Sequence, residues 1–303
     1  MTGERGTPTD ELAVRWQWRA RLESVGGWVS RYLPVLRVLA FVVALAIVVV
    51  MAVRSIQDVD FSTVDPWLLV AAVAAAIVWW VLLARSWALL VEGMTHRKDL
   101  GIWCRTQAIR YLPGGIWAPA SRATLISGTV FDRVSVVGAE NVLALCAAVA
   151  VGGVAFALDG QLVWLPLLLV LAAPFAAPLI ERRSRLTRGR LLRVMANDTA
   201  AFVAYVVAAV LVQGALSGWE SAFAVAGAAG VAWGVGLVVV IAPSGIGVRE
   251  VLYVSLLSGR VPHSEASAAA ITLRLVTVLA ELVVLVLLGR PTPGAEAAGA
   301  TRP

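Results

Sequence analysis

The stretch RYLPGGIW at residues 110–117 and the stretch APSGIGVRE at residues 242–250 each interrupt an apolar region of the chain. Proline removes a backbone donor and clashes with the preceding helical turn, and glycine costs about 1 kcal/mol inside a helix. In hydrocarbon, non-helical backbone is stable only where it is buried in protein or lines a wet cavity. Paired breaks in the two halves of a membrane protein therefore point to a transport site.

The composition is typical of a polytopic membrane protein. Of the 303 residues, 60% are hydrophobic and only 15% are charged, and the mean hydropathy is +0.84. Soluble globular domains do not combine these values. The net charge is +6, and the arginines cluster at the ends of apolar runs, where they act as topology signals and contacts for anionic lipids. We therefore expect membrane lipids as partners and no nucleic acid.

The cysteines and histidines indicate neither a disulfide nor a metal site. Cys104 and Cys146 lie in or beside apolar segments, without a CxxC pattern. His96 and His263 are far apart and have no acidic or cysteine neighbour at ligand spacing. We predict free thiols, no metal and no other cofactor.

The chain divides into three parts. Residues 1–34 are polar and basic with interleaved tryptophans, which predicts an amphipathic helix on the membrane surface or, alternatively, a disordered tail. Residues 35–289 form the membrane domain, and residues 290–303 are predicted to be disordered. No cleavable signal peptide is expected, and the protein is predicted to lie in the cell membrane with its N-terminus in the cytoplasm.

Apolar runs predict seven full spans, at residues 35–53, 66–91, 134–157, 161–180, 197–216, 220–241 and 266–289. The basic loops at 93–105 and 181–193 mark the cytoplasmic side. The segment 106–129 then begins and ends on that side, so it is re-entrant. The piece 250–258 is too short to span and is a second re-entrant candidate. If residues 243–262 cross instead, the count is eight and the C-terminus moves inside.

The predicted fold class is thus an all-α polytopic membrane protein. It has about seven to eight transmembrane helices plus two re-entrant segments broken by proline and glycine. The similarity of the two breaks suggests pseudo-symmetric halves.

Ionisable residues in or near the predicted spans are the candidate functional residues. A charge at the bilayer centre costs roughly 3 kcal/mol, so such a group normally faces the protein interior beside a partner. Two alternatives stay open, namely snorkelling of Arg110 and Arg122 to lipid headgroups and a salt-bridged helix cap at 249–250. An interfacial belt is expected for Trp79, Trp80, Trp117, Trp164 and Trp219. The charged set is Arg110, Arg122, Glu140, Arg249, Glu250, Arg274 and Glu281.

These motifs in this order resemble the lysylphosphatidylglycerol synthase transmembrane (flippase-like) family over residues 35–289. The resemblance rests on RYLPGGIWAPASR at 110–122, a glutamate about eighteen residues later, PSGIGVRE at 243–250 and a final helix with an arginine. Ser244-Gly245 stands where the family often has Gly-Gly. The matched positions are Arg110, Tyr111, Pro113, Gly114, Trp117, Arg122, Glu140, Pro243, Gly245, Gly247, Arg249 and Glu250.

The resemblance implies a domain that moves a lipid with a polar head, either a phosphatidylglycerol derivative or a polyprenyl phosphate. Gly115, Arg274 and Glu281 complete the expected substrate-binding set. Full synthases carry a soluble catalytic domain after the membrane part, which this sequence lacks. We therefore expect the translocation half alone, not an enzyme, with a protein partner supplying a synthase activity as one further expectation.

Two other functions stay open. The first is a membrane subunit that does not transport and anchors or regulates an enzyme through its basic segments. The second is an intramembrane enzyme, for which the sequence offers no recognisable catalytic constellation. The sequence does not indicate an oligomeric state.

Overall fold

Helices make up the regular structure of the described residues, which contain no strand. The computed structural model describes residue 50 and residues 64–91, 96–108, 117–126, 128–176, 186–239 and 245–288. The predicted N-terminal segment, first span and C-terminal tail lie outside these residues. The helices are α1 Pro66–Leu90, α2 His96–Ala108, α3 Trp117–Ala123, α4 Val130–Leu158, a 3₁₀ helix Leu162–Ala176, α5 Arg188–Ser217, α6 Ala222–Val238, α7 Val248–Leu256 and α8 His263–Leu288.

Four of these helices, α1, α4, α5 and α8, are long and apolar enough to cross a membrane. This confirms the all-α, membrane-type character of the chain, while the count of seven to eight spans and the re-entrant segments remain predictions. The predicted loop at 181–193 is wrong in its last part, because α5 already begins at Arg188. The Thr187 side chain caps that helix by accepting a hydrogen bond from the Arg190 N–H at 3.4 Å.

Helices α1 and α5 pack side by side in opposite directions, and this pair organises the bundle. The Asp65 N–H, just before α1, donates to the Ala215 carbonyl near the end of α5 at 3.1 Å. At the other end, Arg190 Nη1 donates to the Leu90 carbonyl at 3.3 Å. We call the end with Leu90 and Arg190 the arginine end, and the end with Asp65 the aspartate end.

The other long helices run between the same two ends. At the aspartate end, Arg260 in the turn before α8 forms a salt bridge of 3.0 Å with Asp159, which follows α4. At the arginine end, the Leu288 carbonyl lies only 2.6 Å from the place that a Cβ on Gly101 would take. Helix α8 therefore ends at the arginine end, as in the alternative in which residues 243–262 cross.

Small residues let α4 and α6 approach closely. A Cβ on Gly230 would lie 2.8 Å from the Ala148 carbonyl oxygen, and one on Gly152 would lie 2.8 Å from the Val231 nitrogen. Close approach of helices through glycine is the usual packing device of membrane bundles, because dispersion contacts there replace the hydrophobic effect. The contact fixes α6, which carries one wall of the site described below.

The interfacial belt expected for Trp79 and Trp80 is wrong. Both side chains are buried, at 2% and 1% exposure, because α1 turns this face toward the bundle. The Trp79 ring centroid lies 4.7 Å from that of Trp80, 4.8 Å from that of Tyr205 and 6.3 Å from that of Trp233. Aromatic side chains therefore fill the centre of the bundle.

Candidate functional site

A cavity of about 140 Å³ lies between the central aromatic residues and the arginine end. Its walls come from α1, α2, α3, α4, α5, α6 and α7. Among the described residues, four ionisable side chains line it, namely Arg122, Glu140, Asp198 and Arg249. The two arginines follow the two breaks of the sequence, so the fold brings the two motifs to one site although 127 positions separate them along the chain (249 minus 122).

Arg122 and Glu140 form a buried ion pair on one side of this first cavity. Arg122 Nε lies 3.2 Å from Glu140 Oε2, and the two residues are 2% and 8% exposed. Trp103 Nε1 donates to Glu140 Oε1 at 2.7 Å. The Arg122 Cζ atom lies 5.6 Å from the Trp87 ring centroid and 5.9 Å from that of Trp103. Arg122 thus lies inside the protein between indole rings, which contradicts the snorkelling alternative for this residue, while Arg110 lies outside the described residues.

The second break positions Arg249 opposite that pair. Gly245 and Gly247 adopt φ values of 67° and 82°, which residues with a Cβ atom rarely adopt. A Cβ on Gly245 would lie 2.8 Å from Arg249 Nε, and one on Gly236 of α6 would lie 2.7 Å from the same atom. The guanidinium group therefore occupies a slot between two glycines, with its Cζ 4.8 Å from the Trp233 ring centroid.

Glu250 has a structural role that differs from that of its neighbour. The Gly247 N–H donates to Glu250 Oε2 at 2.7 Å, which caps the start of α7. Glu250 Oε1 lies 3.9 Å from Arg274 Nε of α8, and Glu250 is 4% exposed. The predicted salt-bridged cap is confirmed for Glu250, while Arg249 lines the cavity.

Asp198 on α5 is a site residue that the sequence analysis missed. It is 1% exposed and lines the first cavity. Its Oδ1 accepts a hydrogen bond from the Ser86 hydroxyl, and Asn197 Nδ2 donates to Ser86 Oγ at 2.8 Å. Its Oδ2 has no hydrogen-bond partner among the residues that the structure describes. The signal was present, because an aspartate just inside an apolar run qualifies under the same rule that selected Glu140.

A second, smaller cavity of about 30 Å³ lies on the aspartate-end side of the first. This space is large enough for a water molecule. Tyr205 lines it about two turns beyond Asp198 on α5, about 10 Å further along the axis. Its other polar lining residues are Arg249, Glu250, Tyr253, Arg274 and Thr277.

Three residues, Trp79, Trp233 and Arg249, line both cavities and so separate them. We call them the dividing layer. The first cavity is lined by α6 residues from Trp233 onward and by Val239, which follows the helix. The second cavity is lined by residues from Ala229 to Trp233, earlier on the same helix. The two cavities are therefore stacked along the helix axes.

Buried hydrogen-bond donors without partners surround both cavities. Within the described part of the chain, no partner is found for the indole N–H of Trp79, the indole N–H of Trp233, the Tyr253 hydroxyl or Arg274 Nη2. Buried polar groups are normally satisfied, and each of these groups can donate. The arrangement is suited to water or to a ligand rich in acceptor oxygens.

Some of the remaining predicted site residues line neither cavity. Others lie outside the described residues. Glu281 on α8 is 8% exposed and lines neither cavity. It lies near Cys104 of α2, where burial and the Glu281 charge raise the pKa of the thiol to about 11. Trp117 begins α3. The residues outside the described part are Arg110, Tyr111, Pro113, Gly114, Gly115 and Pro243.

No protein-family model matches this chain, and no curated protein matches it. The resemblance to the flippase-like family therefore stays an expectation from its motifs. The function is therefore inferred from the fold and from the geometry of the site.

Proposed function

We propose that this protein translocates a membrane lipid whose head carries a phosphate group. The observation that supports the proposal most directly is the meeting of Arg122 and Arg249, one from each sequence break, in one buried cavity. Paired arginines and unsatisfied donors are the groups that bind phosphate oxygens in proteins. A phosphatidylglycerol derivative and a polyprenyl phosphate both present this chemistry.

The cavity fits a lipid head rather than a whole lipid. Its volume of about 140 Å³ leaves the acyl or prenyl chains in the bilayer. The Arg249 guanidinium stacks on the Trp233 ring, which holds the cation in place. Gly236 and Gly245, on either side of Nε, fix the direction in which the guanidinium points. Each hydrogen bond to a charged group contributes about 1.5–3 kcal/mol.

The stacked cavities supply a route for the head. In this mechanism the phosphate enters the first cavity from the arginine end, which faces the cytoplasm by the positive-inside rule. The dividing layer then parts, and Arg249 keeps contact with the head because it lines both cavities. The second cavity, which is water-sized in this structure, has to widen in the same step, and Arg274 then receives the phosphate as Glu250 releases it.

The test uses the full-length protein, first by native mass spectrometry and then in liposomes. We expect a retained anionic lipid, and we expect transport of fluorescent phosphatidylglycerol or a short polyprenyl phosphate between leaflets. Arg249→Gln removes about 1.5–3 kcal/mol of phosphate binding, a factor of about 10 to 100 in affinity. The transport rate is expected to fall with it.

Arg85→Gln is the matched control, because Arg85 lies on α1 with an exposed side chain. It removes the same charge outside both cavities and should leave lipid retention and transport unchanged. If the wild type retains no specific lipid, or if Arg249→Gln behaves like Arg85→Gln, the proposal fails. That result would favour the alternative of a subunit that anchors or regulates an enzyme.

A further inference from the structure

The carboxyl group of Asp198 is arranged differently from those of Glu140 and Glu250, the other two acids that line the cavities. Glu140 lies beside Arg122, and Glu250 lies beside Arg274. Asp198 forms no ion pair with a basic side chain among the described residues, and its Oδ2 has no hydrogen-bond partner there. Charged groups buried without compensation are costly by several kcal/mol, so a carboxylate in this position has to be neutralised by something it binds.

The elements around Asp198 supply few other charges. On α1 the nearest ionisable residue along the helix is Arg85, which is exposed. Helix α6 and the 3₁₀ helix have no ionisable residue in their sequences. The other charged or titratable groups of the two cavities are Glu140 on α4, Arg122 on α3, Arg249 and Glu250 with Tyr253 on α7, Arg274 on α8 and Tyr205 on α5 itself.

The charge balance of the first cavity shows what neutralising Asp198 does. With all four ionisable groups charged, the two arginines and the two acids sum to zero, as +2 and −2. When Asp198 is neutralised, the sum becomes +1. The phosphate diester of phosphatidylglycerol carries a single negative charge, so for this ligand the total returns to zero.

We infer that Asp198, held by the Ser86 hydroxyl, is an exchangeable monovalent-cation site that a proton or Na⁺ occupies, and that its occupation is linked to phosphate binding. For a proton, the free Oδ2 is the acceptor. For Na⁺, the carboxylate and Ser86 Oγ provide oxygen ligands. The linkage to phosphate rests on the proposed function, whereas the cation site itself does not.

The cation site is tested without any lipid substrate, by infrared difference spectroscopy of the purified protein in neutral-lipid nanodiscs. If the occupant is a proton, lowering the pH produces a protonated-carboxyl band that Asp198→Asn removes and Na⁺ does not affect. If the occupant is Na⁺, replacing K⁺ by Na⁺ shifts a carboxylate band that the same variant removes. Ser86→Ala keeps the carboxyl group and should shift the midpoint of either response.

Glu220→Gln is the control, because Glu220 lies exposed in the turn before α6. It should leave both spectra unchanged apart from the loss of one ordinary surface carboxyl. If no pH-dependent or Na⁺-dependent band is lost in Asp198→Asn, the cation site is refuted.

The linkage is tested by titrating phosphatidylglycerol onto the protein at several pH values and Na⁺ concentrations. One linked cation changes the apparent affinity by close to tenfold per pH unit, or per tenfold change in Na⁺ concentration, where the unliganded site is almost empty, and by about threefold where it is half-occupied. Asp198→Asn is expected to bind lipid without this dependence, because its side chain is permanently neutral. A wild type that binds lipid equally well under all conditions refutes the linkage. A wild type that binds no lipid refutes the proposed function, and the infrared result then decides the cation site alone.

Discussion

Replacing Glu140 by glutamine is the sharpest test of the ion pair beside the first cavity. The variant keeps an oxygen that can accept from Trp103 Nε1 and removes the negative charge 3.2 Å from Arg122 Nε. At that distance the attraction is about 5 kcal/mol for an effective dielectric constant of about 20. Removing one partner of a buried pair typically costs about 3–5 kcal/mol. Since Arg122 is 2% exposed, we expect a loss in this range.

The assay is reversible unfolding in mixed micelles, followed by tryptophan fluorescence, for both single variants and the double variant Arg122→Gln/Glu140→Gln. The double variant should lose less stability than the sum of the single variants, because it leaves no buried charge at this position. Arg85→Gln is the surface control and should change the free energy of unfolding by no more than about 0.5 kcal/mol. If Glu140→Gln also falls within that margin, or if the single effects simply add, the pair is not buried and coupled as described.

Two further outcomes are expected. Gly230→Leu should lower the free energy of unfolding by about 1–3 kcal/mol, because a Cβ would meet the Ala148 carbonyl at 2.8 Å, whereas Gly138→Ala, with open space at its Cβ, should not destabilise the protein. In a Cys146→Ala background, maleimide should label Cys104 more slowly in the folded protein than in the unfolded one at about pH 7–8, because burial raises the pKa of the thiol and leaves less thiolate. Rapid labelling of folded protein at neutral pH would contradict the burial of Cys104.

The sequence predicted the membrane character of the chain and part of the site. The long apolar runs gave α1, α4, α5 and α8, because only continuous hydrogen-bonded helices are stable in hydrocarbon. The rule that intramembrane charges face the interior selected Arg122, Glu140 and Arg249, which the fold brings to one cavity. That rule works because the cost of a charge in lipid is large and does not depend on the details of packing.

Other features depended on tertiary contacts that the sequence does not encode locally. The burial of Trp79 and Trp80 could not be predicted from α1, since a helix that is apolar on all sides gives no periodic signal for the face that packs inward. Trp103 is the hydrogen-bond partner of Glu140, although 37 positions separate them. Asp198 was not selected, although it lies inside the predicted span 197–216, and its burial follows from α5, which extends ten residues before it.

The dividing layer also affects how the protein experiences membrane voltage. Where polar cavities hold water on both sides of a thin wall of indole rings, the electric field concentrates in that wall rather than spreading over the whole bilayer. Moving one elementary charge through the full potential requires about 2.3 kcal/mol per 100 mV. The Arg249 guanidinium lies in the wall itself. In the proposed transporter, with both cavities filled with water that is continuous with the two sides, a shift of this group by a few ångströms would move its charge through a large part of the membrane potential.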